Sequence, residues 1–207
     1  RILGRGIHAS HRRRHVRQHR RIELHYHMGQ HATTGGKRQE LARREREAFE
    51  AAAEQIREAV RADPALAELT RQLLIEQTPE GMRIQLVDAD RQPMFALGGA
   101  APNDRARALL QRVAQVIQRL PNAISIAGHT DSTPFRGGGE RSNWDLSTER
   151  ANVTRRLLID AGVADGRIRN LAGHAERDLL LPDQPTAAAN RRVSITLIRQ
   201  APETPRP

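Results

Sequence analysis

An acid in a glycine-flanked turn, Asp131 of GHTD (128–131), precedes by nineteen positions a base, Arg150 of SNWDLSTERAN (142–152). A carboxylate and a guanidinium so placed can clasp the two ends of a zwitterion, contribute to a metal site, or pair with each other. The guanidinium fork matches a carboxylate with two parallel hydrogen bonds, and the aspartate suits an ammonium group. Asp145 or Ser147 can cap a helix starting nearby, which would set Arg150 in or near its first turn. Free backbone N–H groups and the positive end of the helix dipole there already favour an anion. The residue types alone leave open both the clasp and a simple Asp131–Arg150 ion pair.

Enzymatic readings have weaker support. His129 and Asp131 form an H-x-D pair, and His174 also follows a glycine. A catalytic zinc wants three protein ligands around an open position, and no third ligand recurs at a diagnostic spacing. Ser132 and Ser147 lack the strand–turn–helix context of a nucleophile elbow. There is no cysteine, hence no thiol nucleophile, Cys-type zinc site or disulfide scaffold. The residues predict binding without catalysis, metal or cofactor, and His129 reads as a strand-end residue that hydrogen-bonds the loop.

The elements that must position these groups follow from periodicity. Residues 82–88 alternate Met82, Ile84 and Leu86 with polar neighbours, the pattern of a half-buried strand. After Pro102-Asn103-Asp104, a stripe of Leu109, Leu110, Val113, Val116, Ile117 and Leu120 predicts a helix ended by Pro121. Residues 123–128 form a short strand entering the GHTD turn. A helix over 146–161 closes at Gly162, a left-handed cap with Val163 behind it. Strands at 168–173 and around Val193, Ile195 and Leu197 complete an α+β sandwich with helices over a small mixed sheet. Upstream, Leu41, Phe49, Ala52, Ile56 and Val60 predict an amphipathic helix over 38–62. Asp63-Pro64 restarts the chain, and Leu66, Leu69, Leu73 and Leu74 predict a further short helix.

Charge is distributed unevenly. Residues 1–40 hold ten of the 34 Lys/Arg and two of the 24 Asp/Glu, and seven of the nine histidines precede residue 32. Residues 41–207 are therefore close to neutral. A basic leader can bind nucleic acid or an anionic membrane, and His11, His15 and His19 would share one helical face able to hold a metal. The leader lacks apolar periodicity, so 1–37 reads as a disordered or non-native extension. The five aromatics are too few for a base-stacking surface, and no nucleic-acid partner is expected. No apolar run approaches the roughly 18–20 residues that span a bilayer.

Three motifs occur in order: Thr130-Asp131, Asn143 to Ala151, and Asn190-Arg191-Arg192. They resemble the peptidoglycan-binding domain of the OmpA carboxy-terminal family, whose pattern is T-D, a loop, N-x-x-L-S-x-x-R-A and later N-R-R. With TPEGMRIQLVDADRQPMF (78–95), they are most similar to the branch found in wall-anchored stator subunits of the bacterial flagellar motor, over roughly residues 40–200. The resemblance implies an OmpA C-terminal-like β/α sandwich over 78–200, preceded by a helical linker or stalk (38–77) and followed by a flexible Pro-rich tail (201–207). It implies that Asp131 and Arg150 hold the zwitterionic end of diaminopimelate in the peptidoglycan stem peptide, with Asn143 and Arg191 supporting the pocket. It further implies a periplasmic domain, a homodimer and a MotA-type stator channel subunit as partner. Such relatives are anchored in the inner membrane by an N-terminal helix, and nothing in 1–40 resembles one. A related envelope tether without a motility role is the alternative. The sequence departs from the pattern after Asp131, where Ser132-Thr133-Pro134-Phe135 precedes Gly137-Gly138-Gly139.

Overall fold

The computed structural model describes residues 11–96, 98–135 and 141–200, with side chains from residue 35 onward. The chain divides into two compact units, Arg1–Arg44 and Glu45–Pro207. Helix α1 (His11–Arg61) begins ahead of the predicted start at 38. The first ten residues of the leader, and the side chains of His11, His15 and His19, lie outside what is described. In the second unit the apolar stripe of α1 is fully used: Phe49, Ala52, Ile56 and Val60 are all buried in the core. The segment expected as a linker over 38–77 therefore supplies core residues from Phe49 onward.

A second difference follows at Leu73. A 3-10 turn (Ala67–Gln72) leads into strand β1 (Leu73–Thr78), where helix was predicted. Leucines at positions 66, 69, 73 and 74 fit a helical stripe, but pairing with the next strand overrides that local spacing. Strand β2 (Gly81–Val87) runs antiparallel to β1, in register from Leu73↔Leu86 to Thr78↔Gly81. Leu73 is then buried and Leu74 turns outward, 38% exposed, as a strand's two faces require.

Helix α2 (Asp104–Ile117) starts where predicted, with the Asn103 side chain accepting from the Ala106 amide. Its stripe of Leu109, Leu110, Val113 and Ile117 is essentially inaccessible to water. Strand β3 (Ile124–His129), helix α3 (Asn143–Asp160), strand β4 (Ile168–Gly173) and strand β5 (Arg192–Ile198) complete the domain. Helix α3 ends as expected at Gly162 (φ +102). The Gly162 and Val163 amides donate back to Ile159 and Leu158, and Val163 is buried.

The sheet order is β1-β2-β5-β3-β4. Only β3 and β4 are parallel, joined through α3; the other pairs are antiparallel. This is the small mixed sheet the pattern called for. Met82, Ile84 and Leu86 of β2, Ile124 and Ile126 of β3, and Val193, Ile195 and Leu197 of β5 project into the core shared with the helices. The alternate positions place Gln85, Arg192, Ser194 and Thr196 on the other face. Among the described residues no helix is long and apolar enough to cross a membrane.

Candidate functional site

Sheet geometry assembles the site. Because β2 and β3 both run antiparallel to β5, the end of each meets the start of β5: Val87 and His129 both pair with Arg192. Asp88, Thr130-Asp131 and Arg191, one residue or two beyond those partners, therefore converge at one end of the sheet. Their chain separations reach 103 residues, between Asp88 and Arg191.

Arg191 binds the two acids together. Its Nε donates to Asp88 Oδ2 at 2.9 Å and its Nη1 to Asp131 Oδ2 at 2.7 Å. Asp88 is buried and also accepts from the Met94 amide, while Asp131 Oδ1 accepts from the Thr133 amide at 2.8 Å. Burial would lower the Arg191 pKa, but its hydrogen bonds to Asp88 and Asp131 outweigh that and hold the group above its ordinary range. Both acids are thereby fixed in position. Asp131 thus takes Arg191 as its ion-pair partner, and the simple Asp131–Arg150 bridge that the spacing allowed is not formed.

Arg150 is the largest fully buried side chain, 2% exposed. Its Nε donates to the Gly99 carbonyl at 3.0 Å, and its guanidinium lies 4.9 Å from the centre of the Phe95 ring. Its Nη1 is buried with no hydrogen-bond partner. Burial lowers its pKa to about 10, opposed by Asp88 and Asp131 and reinforced by Arg191. It remains a cation at neutral pH, with hydrogen-bonding capacity unused. Buried polar groups are almost always satisfied within the fold, so an orphan beside a cavity invites an external acceptor. Such a cavity exists. A cleft of about 730 Å³ is lined by Thr130, Asp131, Phe135, Asn143, Leu146, Arg150 and Arg191 among others.

Helix α3 carries Arg150 into that cleft, but not from its first turn. The helix begins at Asn143, capped by Ser142 in a reciprocal box with Asp145: the Ser142 side chain accepts from the Asp145 amide, and the Ser142 amide donates to the Asp145 carboxylate. Neither Asp145 nor Ser147 is itself the cap, and Arg150 sits two turns in. A serine three positions before an acid is the signal that locates this start. The sheet approaches the helix closely where glycine permits. A Cβ on Gly128 would stand 2.0 Å from the Ser147 carbonyl oxygen, and one on Gly173 would meet Thr148 Oγ1 at 2.2 Å. Ser147 is buried; its hydroxyl accepts from the Ala175 amide at 3.0 Å, and Ala175 stands in the left-handed region at φ 48.

Asn143 and Asn190 tie the surrounding loops. Asn143 Nδ2 donates to the Thr133 carbonyl and to Glu176 Oε2, both at 3.1 Å, linking α3 to the turn after Asp131. Asn190 is fully buried; it accepts from the Leu181 amide and donates to the Gln184 and Pro185 carbonyls. Pro185 in turn accepts from the Ser132 amide. Sequence reasoning missed Asp88 and Phe95, the anchor of Arg191 and the ring beneath Arg150. An acidic residue just past an apolar strand, as in LVD, is the one available signal for the first.

His129 ends β3 and is 2% exposed, stacked on His174 with ring centres 5.0 Å apart. Burial and the nearby Arg192 push its pKa down to about 4, against the opposing pull of Asp178, so the ring is neutral at pH 7. Its Nδ1 lies 3.5 Å from Asp178 Oδ2 of the following loop, without a well-formed hydrogen bond at that atom. Among the described residues no group of three or more His, Cys, Asp or Glu is placed to hold a metal.

The family model of the OmpA family matches residues 94–192. Motility protein B of Escherichia coli (strain K12) is 37% identical over 145 residues, which cover 70% of this chain and 47% of that protein. The chain thus spans about half the length of that relative. Among solved structures, the periplasmic domain of Helicobacter pylori MotB is similar at 25% identity with a TM-score of 0.54, covering 62% of this chain and 89% of that one. The cell wall anchor of the T6SS from Pseudomonas aeruginosa shares the fold, with a TM-score of 0.56 at 24% identity over 66% of this chain and 95% of that one. Residues 94–192 thus match the OmpA family, and the fold around them is similar to that of the MotB periplasmic domain.

Proposed function

We propose that this domain is a non-catalytic peptidoglycan-binding module, the periplasmic region of a flagellar motor stator subunit that anchors the stator to the cell wall. One observation carries the reading. Arg150 keeps its charge at depth, with Nη1 unpartnered beside a cleft on whose wall Asp131 is locked by Arg191. An acceptor for one end and an anion site for the other suit a free amino-acid terminus, as in the diaminopimelate of a stem peptide. The carboxylate docks on Arg150 and the ammonium beside Asp131, while Asn143 holds the rim. Binding gives Asp131, Asn143, Arg150 and Arg191 each a role without a nucleophile or a proton shuttle.

The relative named motility protein B favours the motor over a general envelope tether. A homodimer, a MotA-type channel subunit and an inner-membrane anchor belong to the same proposal for the whole protein. The binding reading is tested by co-sedimentation with purified peptidoglycan. Asp131→Ala is expected to stay folded by circular dichroism and to lose about 30-fold or more in affinity, with free diaminopimelate competing for the wild-type domain. A folded Asp131→Ala protein that still co-sediments normally would place the site elsewhere. Sedimentation equilibrium tests the pair, and a strictly monomeric profile at high concentration would count against it.

A further inference from the structure

Trp144 is the chain's single tryptophan and stands 49% exposed, in a helix whose inner face is otherwise packed. Exposed large apolar groups on a soluble surface need a reason when they cluster with a cavity. Here a second, shallower depression of about 740 Å³ is lined by Trp144 and Leu171, itself 36% exposed, with Arg141, Glu149 and Asn152 around them. Arg141 also lines the main cleft, so the two depressions adjoin across that side chain. Arg141 is held between them by the Phe135 ring, 5.4 Å away, and by the Glu149 carboxylate.

We propose that this depression is a saccharide subsite, in which the Trp144 indole stacks on one sugar ring of the glycan strand while the main cleft holds the peptide branching from it. The proposal rests on the peptidoglycan reading above. An indole offers a large, rigid apolar face, and the ring C–H groups of a sugar present the complementary positive edge. The flanking groups are suited to hydroxyls and acetamides instead of a protein's apolar core. Arg141 donates, Glu149 accepts, and Asn152 uses its Oδ1 on Arg155 at 3.1 Å while its amide NH₂ can donate. Adjacency across Arg141 sets the order: a ligand that spans both depressions carries its charged terminus at Arg150 and its ring at Trp144. A second copy of this chain is the competing occupant, but two exposed apolar residues among charges fall far short of the apolar patch a stable protein interface buries.

The lone tryptophan makes the test direct. Its fluorescence is recorded on the full chain with two probes, glycan strands stripped of their peptides and the free stem peptide. A shift or quench on adding the stripped glycan is the expected result. Trp144→Ala is expected to weaken binding of an intact muropeptide about 5- to 10-fold, leave the free peptide's affinity unchanged, and be largely restored by Trp144→Tyr. Peptide binding with no fluorescence response to glycan, and no selective loss in Trp144→Ala, would overturn the subsite and leave the wall-binding function standing. Failure of the peptide itself to bind would overturn that function, and the subsite with it. A tryptophan shift that follows protein concentration without ligand would assign the surface to self-association and also overturn the proposal.

Discussion

Replacing Arg150 by methionine separates a binding arginine from a structural one. Methionine fills a similar elongated volume without charge. In the native domain, burial pulls the Arg150 pKa well below its ordinary value, to about 10, a disadvantage of roughly 3 kcal/mol for keeping the cation in place. Against this stand the hydrogen bond to the Gly99 carbonyl, about 1–1.5 kcal/mol, and the contact with Phe95, about 1–2 kcal/mol. The two sides nearly cancel. Arg150→Met is therefore expected to leave unfolding free energy unchanged or raised by up to about 1 kcal/mol, as for other buried charges replaced by apolar groups. Wall affinity is expected to fall by about 30-fold or more, since the carboxylate loses its charged partner. Urea denaturation and peptidoglycan co-sedimentation on the same preparation read both quantities. A loss of more than about 2 kcal/mol in stability, with binding falling only as the folded fraction falls, would refute the argument and make Arg150 a core residue.

Further predictions address the supports of the site. Asp88→Asn keeps an acceptor for the Met94 amide but removes the charge that anchors Arg191; wall affinity should fall about 3- to 10-fold with about 1 kcal/mol of stability lost, measured by the same two assays. Gly128→Ala should cost about 3 kcal/mol or more in urea unfolding, because its Cβ would stand 2.0 Å from the Ser147 carbonyl; a near-neutral result would show that β3 and α3 separate easily. His129 has a folded pKa of about 4 against 6.5 unfolded, so the unfolded chain binds the extra proton between those values. Stability should then fall as pH drops from 6.5 towards 4, by up to about 3 kcal/mol, and His129→Gln should flatten that slope in urea midpoints taken at pH 7 and pH 5.

Much of the domain was legible from spacing because the relevant signals are local. The α2 stripe, its Asn103 start and the Gly162 stop each depend on residues within a few positions of one another. The site's motif residues were legible for the same reason, as short ordered strings. Their wiring was not. That Asp131 pairs with Arg191 and leaves Arg150 partly unpaired depends on both β2 and β3 aligning against β5, a register no local pattern encodes. Asp88 was missed because its role exists only once Arg191 arrives from the far end of the chain. The β1 strand was misread because four leucines at helical spacing fit one face of a helix as well as a β hairpin; only the pairing with β2 decides between them.

The position of β5 has a consequence in time. Among the described strands it is the last in sequence yet the third of five in space, and within the sheet it joins the β1–β2 hairpin to the β3–α3–β4 unit. Until it is in place, β2 and β3 each present an open edge, and no earlier strand can close the gap between them. Insertion of this strand between the two halves, a step dominated by distant contacts, is therefore the step expected to limit the rate of folding. It also brings in Arg191. A chain emerging from its N-terminus would stay adhesive along both edges until β5 has emerged, and it would gain the competence to hold a ligand in the same step that seals those edges.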